Sequence, residues 1–380
     1  MAHGRGAPPR RGLNHLTKVA EVSTTPTIIV AEGDETGQEL LDEALRALAP
    51  DVLGVDIDLQ RFDLSLENRR ATENAVVRDA AAAMSETGLG LKAATITPPE
   101  RGGVGSPNRL LREGINGSVI VRTGRRIPGV SPAVSGVHYP IMVIRMAVGD
   151  AYGAAEGREG DEGSLEEVSW RTERIERSVC RSVAEFSFVA AEMNNGLVYG
   201  GPKWTVSPTY EGLLKEEMDA AATRHPGVIY RPVLVDAAYA GLMTENFDRT
   251  VVMPALNRDG DVLSDLVLAM FGSIAGAESV LLSLDDELRP RVAMAEAPHG
   301  TAPSLMGKNV ANPMAMLLAE AALLDYAGVQ RANPLLSDAG HRLREATLAG
   351  AAEGVRTFDL GGEARTSEVV DDVIARLRAR

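Results

Sequence analysis

The order of patterns near the start of the chain constrains its fold more than any other feature. The run TIIVA (27–31) has the length and branching of a buried strand. GQELLDEALRAL (37–48) repeats apolar residues at helical spacing, and VDIDLQRFDL (55–64) alternates like a strand. ENAVVRDAAAAMSETG (73–88) reads as a helix closed by Gly88, and LGLKAATIT (89–97) returns to strand. Strand, helix, strand, helix, strand predicts an α/β chain with a largely parallel sheet and helices on its faces.

Further along, strands are expected within 117–130 and 139–148, and at 197–201, 227–235, 279–284 and 355–360. Helices are expected at 174–196, 207–225, 262–276, 313–328 and 335–351, and from about Thr366. The acidic, glycine-rich stretch 153–169 reads as an exposed loop or a flexible clasp. At 380 residues the chain can form two domains or one large one.

A net charge of −14 argues against a general nucleic-acid or anionic-membrane binder. Cys180 is the only cysteine, which rules out an internal disulfide and a cysteine-based zinc site. No apolar run approaches the ~18 residues of a membrane span. Residues 1–26 are rich in Gly, Pro and Arg without the apolar stretch of a secretory signal, so they read as a flexible leader or a transit peptide. The protein is expected to be cytoplasmic.

NRDGDVLSD (257–265) places Asp259, Asp261 and Asp265 between two apolar segments. A calcium loop starting at Asn257 fails, because Val262 stands where glycine is needed and Leu268 where glutamate is. GTAPSLMGKN (300–309) fails as a phosphate loop, because its glycines have the wrong spacing and Asn309 replaces the Ser or Thr. If a helix begins near Gly260, Asp261 and Asp265 project from one face of its first turn. They are then either hard oxygen ligands for Mg²⁺ or Mn²⁺ or an ordinary solvated helix start.

Other stretches bear on that choice. DLSLENRRATENAVVRDAAAAM (63–84), LKAATITPPE (91–100), SPNRLLRE (106–113), VIRMAVGDAY (143–152), NRDGDVLSD and EAPHGTAPSLMGKNVANP (296–313) follow one another in this order. Together they resemble the isocitrate and isopropylmalate dehydrogenases, the metal-dependent β-decarboxylating dehydrogenases, from about residue 27 to 378. The resemblance implies a large discontinuous cofactor-binding domain (27–115 and 272–380). It also implies a smaller inserted α/β domain for substrate and dimerisation (116–271), including a clasp (150–176). It implies oxidation of a 2-hydroxy acid by NAD or NADP, followed by loss of the β-carboxylate, in a homodimer with shared active sites.

The resemblance also assigns residues. Asp261 and Asp265 become metal ligands, joined by Asp236 of a partner copy. Tyr152 and Lys203, the latter also from the partner, become the proton-handling pair, with pKa values that nearby metal and arginines can lower. Arg112, Arg122 and Arg145 become carboxylate clamps, a role suited to the planar guanidinium fork. Thr97, Ser106 and Asn108 contact substrate, and the last two favour a polar third arm, as in isocitrate. Lys92, Thr95, His299, Gly300, Thr301, Ala302, Ser304 and Asn312 fall at cofactor-binding positions.

Several positions depart from the family pattern. Arg109 replaces glycine beside the third-arm site, Arg125 and Arg126 add charge, and Met146 replaces a histidine. These changes are either neutral or a sign that the third arm carries more charge than a carboxylate, as in a phosphonate such as phosphonomethylmalate. Ser304 and Leu305 supply neither the cation that NADP enzymes place there nor the aspartate of NAD enzymes; lacking the cation, the sequence leans to NAD, although Lys308 could still reach a phosphate. Isocitrate or a close analogue is the expected substrate. Homoisocitrate or 3-isopropylmalate dehydrogenase and a non-catalytic regulatory subunit are the alternatives.

Overall fold

A computed structural model describes residues 25–98 and 103–379. The leader assigned to 1–26 lies almost wholly outside the described residues. In chain order the strands are β1 (Thr27–Glu32), β2 (Asp58–Asp63), β3 (Leu89–Lys92), β4 (Val119–Gly124), β5 (Ile141–Met146), β6 (Asp150–Glu159), β7 (Val168–Arg174), β8 (Leu197–Tyr199), β9 (Ile229–Arg231), β10 (Val251–Ala255), β11 (Glu278–Leu284) and β12 (Pro290–Glu296). The α-helices are α1 (Glu35–Ala44), α2 (Pro50–Leu53), α3 (Leu66–Ala71), α4 (Ala75–Thr87), α5 (Pro107–Gly114), α6 (Arg177–Met193), α7 (Glu211–Arg224), α8 (Val235–Thr244), α9 (Asn257–Met270), α10 (Met314–Gln330), α11 (Pro334–Ala352) and α12 (Thr366–Arg378).

Ten strands form one sheet in the order β2-β1-β3-β12-β11-β4-β5-β10-β8-β9. The sheet is mixed rather than largely parallel at its centre, because β11 runs antiparallel to both β12 and β4, and β4 runs antiparallel to β5. The first five strands in that order come from 27–115 and 272–380, and the last five from 116–271.

Alternation along the strands sorts side chains to the two faces. Ile28 and Val30 join the core beneath α10 and α6, whereas Ile29 and Ala31 join the one beneath α4 and α5. α10 is apolar on nearly every side and buried accordingly. On β4 and β5, Val121 and Ile144 face the first of these cores, leaving Arg122 and Arg145 to the opposite face.

Several sequence expectations need correction. Of residues 153–169, expected as an exposed loop or a clasp, only 160–167 is loop: β6 and β7 on either side of it pair as a separate antiparallel ribbon. The strand expected over 89–97 ends at Lys92, where the chain leaves the sheet, and the one expected over 227–235 shrinks to β9. No strand forms at 355–360, where Phe358–Leu360 makes a turn of 3₁₀-helix that Gly361 ends with φ +74°. The helix expected at 262–276 begins five residues earlier and stops at Met270.

Candidate active site

α9 organises the site. Its N-terminus carries no side-chain cap of its own; instead Asp150 Oδ2 on β6 accepts the Arg258 N–H at 2.8 Å. Asn257 is fully buried, accepting from Arg145 Nε at 2.9 Å and donating to the Gly149 carbonyl at 3.1 Å. Arg145 lies directly under the helix, and a Cβ at Gly260 would stand 2.7 Å from Arg145 Cγ, so glycine is needed there for packing. Because α9 starts at Asn257, Asp261 sits in its second turn, and the helix dipole alone does not account for it.

Side chains account for it instead. The Asp261 carboxylate accepts from Tyr152 Oη at 2.6 Å and from Arg145 Nη1, and Arg122 Nη1 lies 3.7 Å away. Arg122 also reaches Asp265 at 3.4 Å and Ser264 Oγ at 2.9 Å. The Arg145 guanidinium stacks over the Tyr152 ring at 5.2 Å. Asp259 is no part of this cluster, since it pairs with Arg258 at 3.5 Å and its carbonyl accepts from Tyr239 on α8.

Burial works to raise the Asp261 pKa, but the Tyr152 hydrogen bond and the charges of Arg145, Arg122 and Arg112 outweigh it and hold the carboxyl below its ordinary value. Burial pushes Arg145 down to about 10 against the pull of Asp261. The chain's own groups shift Tyr152 upward. Burial, and then the hydrogen bond and charge of Asp261, raise its pKa above that of free tyrosine, because the neighbouring carboxylate outweighs the arginines. At neutral pH its hydroxyl keeps the proton.

Lys203 and Asp236 form a second pair, ammonium to carboxylate, at the start of α8. Within one chain, no group of three acidic, histidine or cysteine side chains converges on a metal-binding point among the described residues. Asp236 therefore does not join Asp261 and Asp265 within one chain. The donor set still suits a hard divalent cation: Asp261 and Asp265 are carboxylates one helical turn apart, and Asp265 is largely exposed.

Of the predicted substrate residues, Asn108 shares α5 with Arg112, and Ser106 is the N-cap of that helix. Ser106 begins α5 without spending its hydroxyl on a cap, Thr97 is exposed, and Asn108 keeps a buried Oδ1 without a partner. Arg122 Nε is likewise buried and unpartnered. Buried polar atoms are seldom left so; the Arg122 Nε–H could donate to a bound anion, and the Asn108 oxygen could accept from a bound hydroxyl. Arg109 is exposed, with only Glu113 at 3.8 Å. Arg125 and Arg126 do not serve a substrate arm here, since Arg125 forms a two-pronged pair with Glu278 and Arg126 donates to the carbonyls of Val137 and Ser135.

On the cofactor side, Thr36 Oγ1 donates to the Ala302 carbonyl at 2.8 Å, and Glu39 accepts from the Gly307 N–H at 2.6 Å. These bonds fix the loop bearing His299, Gly300, Thr301 and Ser304, in which Ala302 adopts φ +44°. His299 Nε2 is buried without a partner, and burial lowers the His299 pKa, leaving the ring neutral. Asn312 donates to Asp359 at 3.0 Å and accepts from the Met314 N–H. Thr95 is half-buried beside Lys92, whose buried ammonium is already held by the Ala93 carbonyl and by Glu296 at 3.1 Å. Sequence reasoning missed Glu296. Burial raises its pKa, and the charges of Lys92, Arg112 and Arg122 more than reverse that, so a carboxylate is held between the cofactor loop and the arginines. The signal was its place at the head of EAPHG, directly before the loop histidine.

The family profile described as isocitrate/isopropylmalate dehydrogenase matches residues 27–373. An isocitrate dehydrogenase [NADP] of Sphingobium yanoikuyae is 30% identical over 90% of this chain and 92% of its own. A homoisocitrate dehydrogenase of Methanocaldococcus jannaschii is 29% identical over 93% and 98%. The crystal structure of isocitrate dehydrogenase from Methylococcus capsulatus superposes with a TM-score of 0.79 over 93% of this chain and all of that one, at 22% identity, which is a likeness of fold. The matched family is one of oxidoreductases. The chain belongs to the isocitrate/isopropylmalate dehydrogenase family.

Proposed function

We propose that the chain is an NAD(P)-dependent, Mg²⁺- or Mn²⁺-requiring dehydrogenase that oxidises and decarboxylates isocitrate or a close isocitrate-like 2-hydroxy acid in the cytoplasm. The observation that carries this reading is the convergence of Tyr152, Arg145 and Arg122 on Asp261, with Arg112 close enough to act on its charge. Three arginines, one of them with an unspent Nε–H, suit a ligand with several carboxylates. Arg112, Arg122 and Arg145 would bind and orient those carboxylates, and Ser106 and Asn108 the third arm.

Asp261 and Asp265, with Asp236 of a second copy, would hold the cation, which when bound polarises the substrate hydroxyl and the ketone it becomes. Lys203 of that second copy would take the hydroxyl proton. Tyr152, protonated at neutral pH, would deliver a proton from its Oη to the enol carbon left by decarboxylation. That Asp236 does not gather with Asp261 and Asp265 among the described residues of one chain supports a homodimer. So do the exposed Leu165, Val168 and Trp170 of the ribbon and the exposed Met243 and Val262 on α8 and α9. In this reading 27–115 with 272–380 and 116–271 are the two domains flanking the site.

NAD is the proposed cofactor, because Ser304 and Leu305 bring no charge to the loop. The relatives bear on the substrate without fixing it, and Arg109 keeps a more highly charged third arm in play as the second reading. The test is turnover followed at 340 nm with Mn²⁺ and either NAD or NADP. The acids are isocitrate, homoisocitrate, 3-isopropylmalate and phosphonomethylmalate, with Asp261→Asn as control. Isocitrate with NAD is expected to give the highest kcat/KM and the control to lose at least a hundredfold. Silence with every acid from a folded dimer would point to a regulatory subunit instead.

A further inference from the structure

Arg69 on α3 is fully buried, yet its closest carboxylate, Asp34, is 4.0 Å away. Its donors go to main-chain carbonyls: Nε to Leu64 at 2.9 Å, Nη1 to Gly105 at 3.3 Å and Nη2 to Ile96. Burying a guanidinium is costly unless its donors are paired, and here three main-chain carbonyls pair them. Ile96 and Gly105 both lie outside strands and helices, where no ladder satisfies their carbonyls.

The two ends are fixed together. Asp34 accepts the Ile96 N–H with one oxygen and the Leu66 N–H, at the start of α3, with the other, both at 2.8 Å. Ile96 is thus held through its N–H by Asp34 and through its carbonyl by Arg69. Asn74 Nδ2 donates to the Val104 carbonyl at 2.7 Å, beside the Gly105 that Arg69 holds. Thr97 follows Ile96 directly; Ser106 follows Gly105 and opens the helix carrying Asn108 and Arg112.

We propose that Arg69, with Asp34, is a positioning residue that sets the separation of Thr97 from Ser106 and Asn108 and so fixes the substrate's third arm. This rests on the function proposed above. A planar fork can hold carbonyls lying in different directions; a lysine ammonium at the same depth cannot reach all three.

The test uses Arg69→Lys and, as a milder variant certain to leave the guanidinium in place, Asn74→Ala. Hydrogen–deuterium exchange on the full-length protein is expected to quicken at least tenfold at 93–98 and 104–108 in Arg69→Lys, with α10 and β11 unchanged. Exchange at wild-type rates, or equally faster everywhere, would overturn the clamp. In kinetics, KM for the hydroxy acid is expected to rise at least tenfold in Arg69→Lys and about threefold in Asn74→Ala, with kcat and the cofactor KM within threefold of wild type. A parallel loss of all three constants, or an unchanged KM, would overturn the positioning role. If the wild type turns over no acid, the functional reading falls and takes the substrate half of this inference with it, while exchange still decides the clamp.

Discussion

Glu320 sits in the middle of α10, 1% exposed, and neither carboxyl oxygen has a hydrogen-bond partner. Burial drives its pKa well above that of a free glutamate, so the folded chain keeps it neutral. Replacing it with methionine, similar in size and flexible, removes two unsatisfied polar atoms at a cost in packing that is small. Leaving such a group unpaired costs roughly 1–3 kcal/mol. At ~2.1 cal/mol/K per residue, a chain of this length has an unfolding entropy of about 0.8 kcal/mol/K, so Glu320→Met is expected to raise Tm by about 1–4 °C near pH 4.

The gap should widen with pH. Above the ordinary glutamate pKa of ~4.3 the unfolded chain releases this proton while the folded chain retains it, so wild-type stability falls by about 1.4 kcal/mol per pH unit for as long as the folded side chain stays protonated. Methionine removes that slope. Calorimetric Tm values for both proteins at pH 5, 6 and 7 are the measurement. The expected difference grows by nearly 2 °C per unit. A methionine variant that melts lower than wild type at every pH, or a difference that does not change with pH, would refute the reasoning.

Arg125→Ala breaks a pair with Glu278 in which both side chains are largely buried, and is expected to cost about 3–5 kcal/mol, or roughly 4–6 °C in Tm, with KM for the hydroxy acid unchanged. A raised KM at unaltered Tm would return Arg125 to the substrate site. His225, half-buried at the end of α7, contacts Glu192 at 2.8 Å and Glu185 at 3.0 Å; burial lowers its pKa but these bonds outweigh it and the net shift is upward. A raised histidine pKa gives stability that is complete below the ordinary value of ~6.5 and is lost as pH rises through the folded value. His225→Gln should therefore cost roughly 1–2 kcal/mol in urea unfolding at pH 6 and clearly less at pH 9. An equal cost at both would show that only packing is involved.

Local pattern determined much of this protein. Alternation and helical spacing depend only on near neighbours in sequence, and they placed β1, α1, β2, α4, α10 and α11 within a few residues. The ordered motifs likewise brought Tyr152, Arg145, Asp261 and Asp265 to attention, and the resemblance they carry added Arg122, before any of them could be seen to meet. Tertiary structure decided what depends on distant partners. The sheet is mixed because β11 runs antiparallel to β12 and β4, and β4 to β5, and pairing direction leaves no mark on a run of apolar residues. α9 begins at Asn257 because Asp150, over a hundred residues earlier, satisfies the N–H of its second residue, Arg258. Arg125 is structural rather than functional because Glu278 waits on a neighbouring strand. The direction of the Tyr152 shift follows from burial first and then from a carboxylate 2.6 Å from its hydroxyl, both set by tertiary packing that a sequence does not contain.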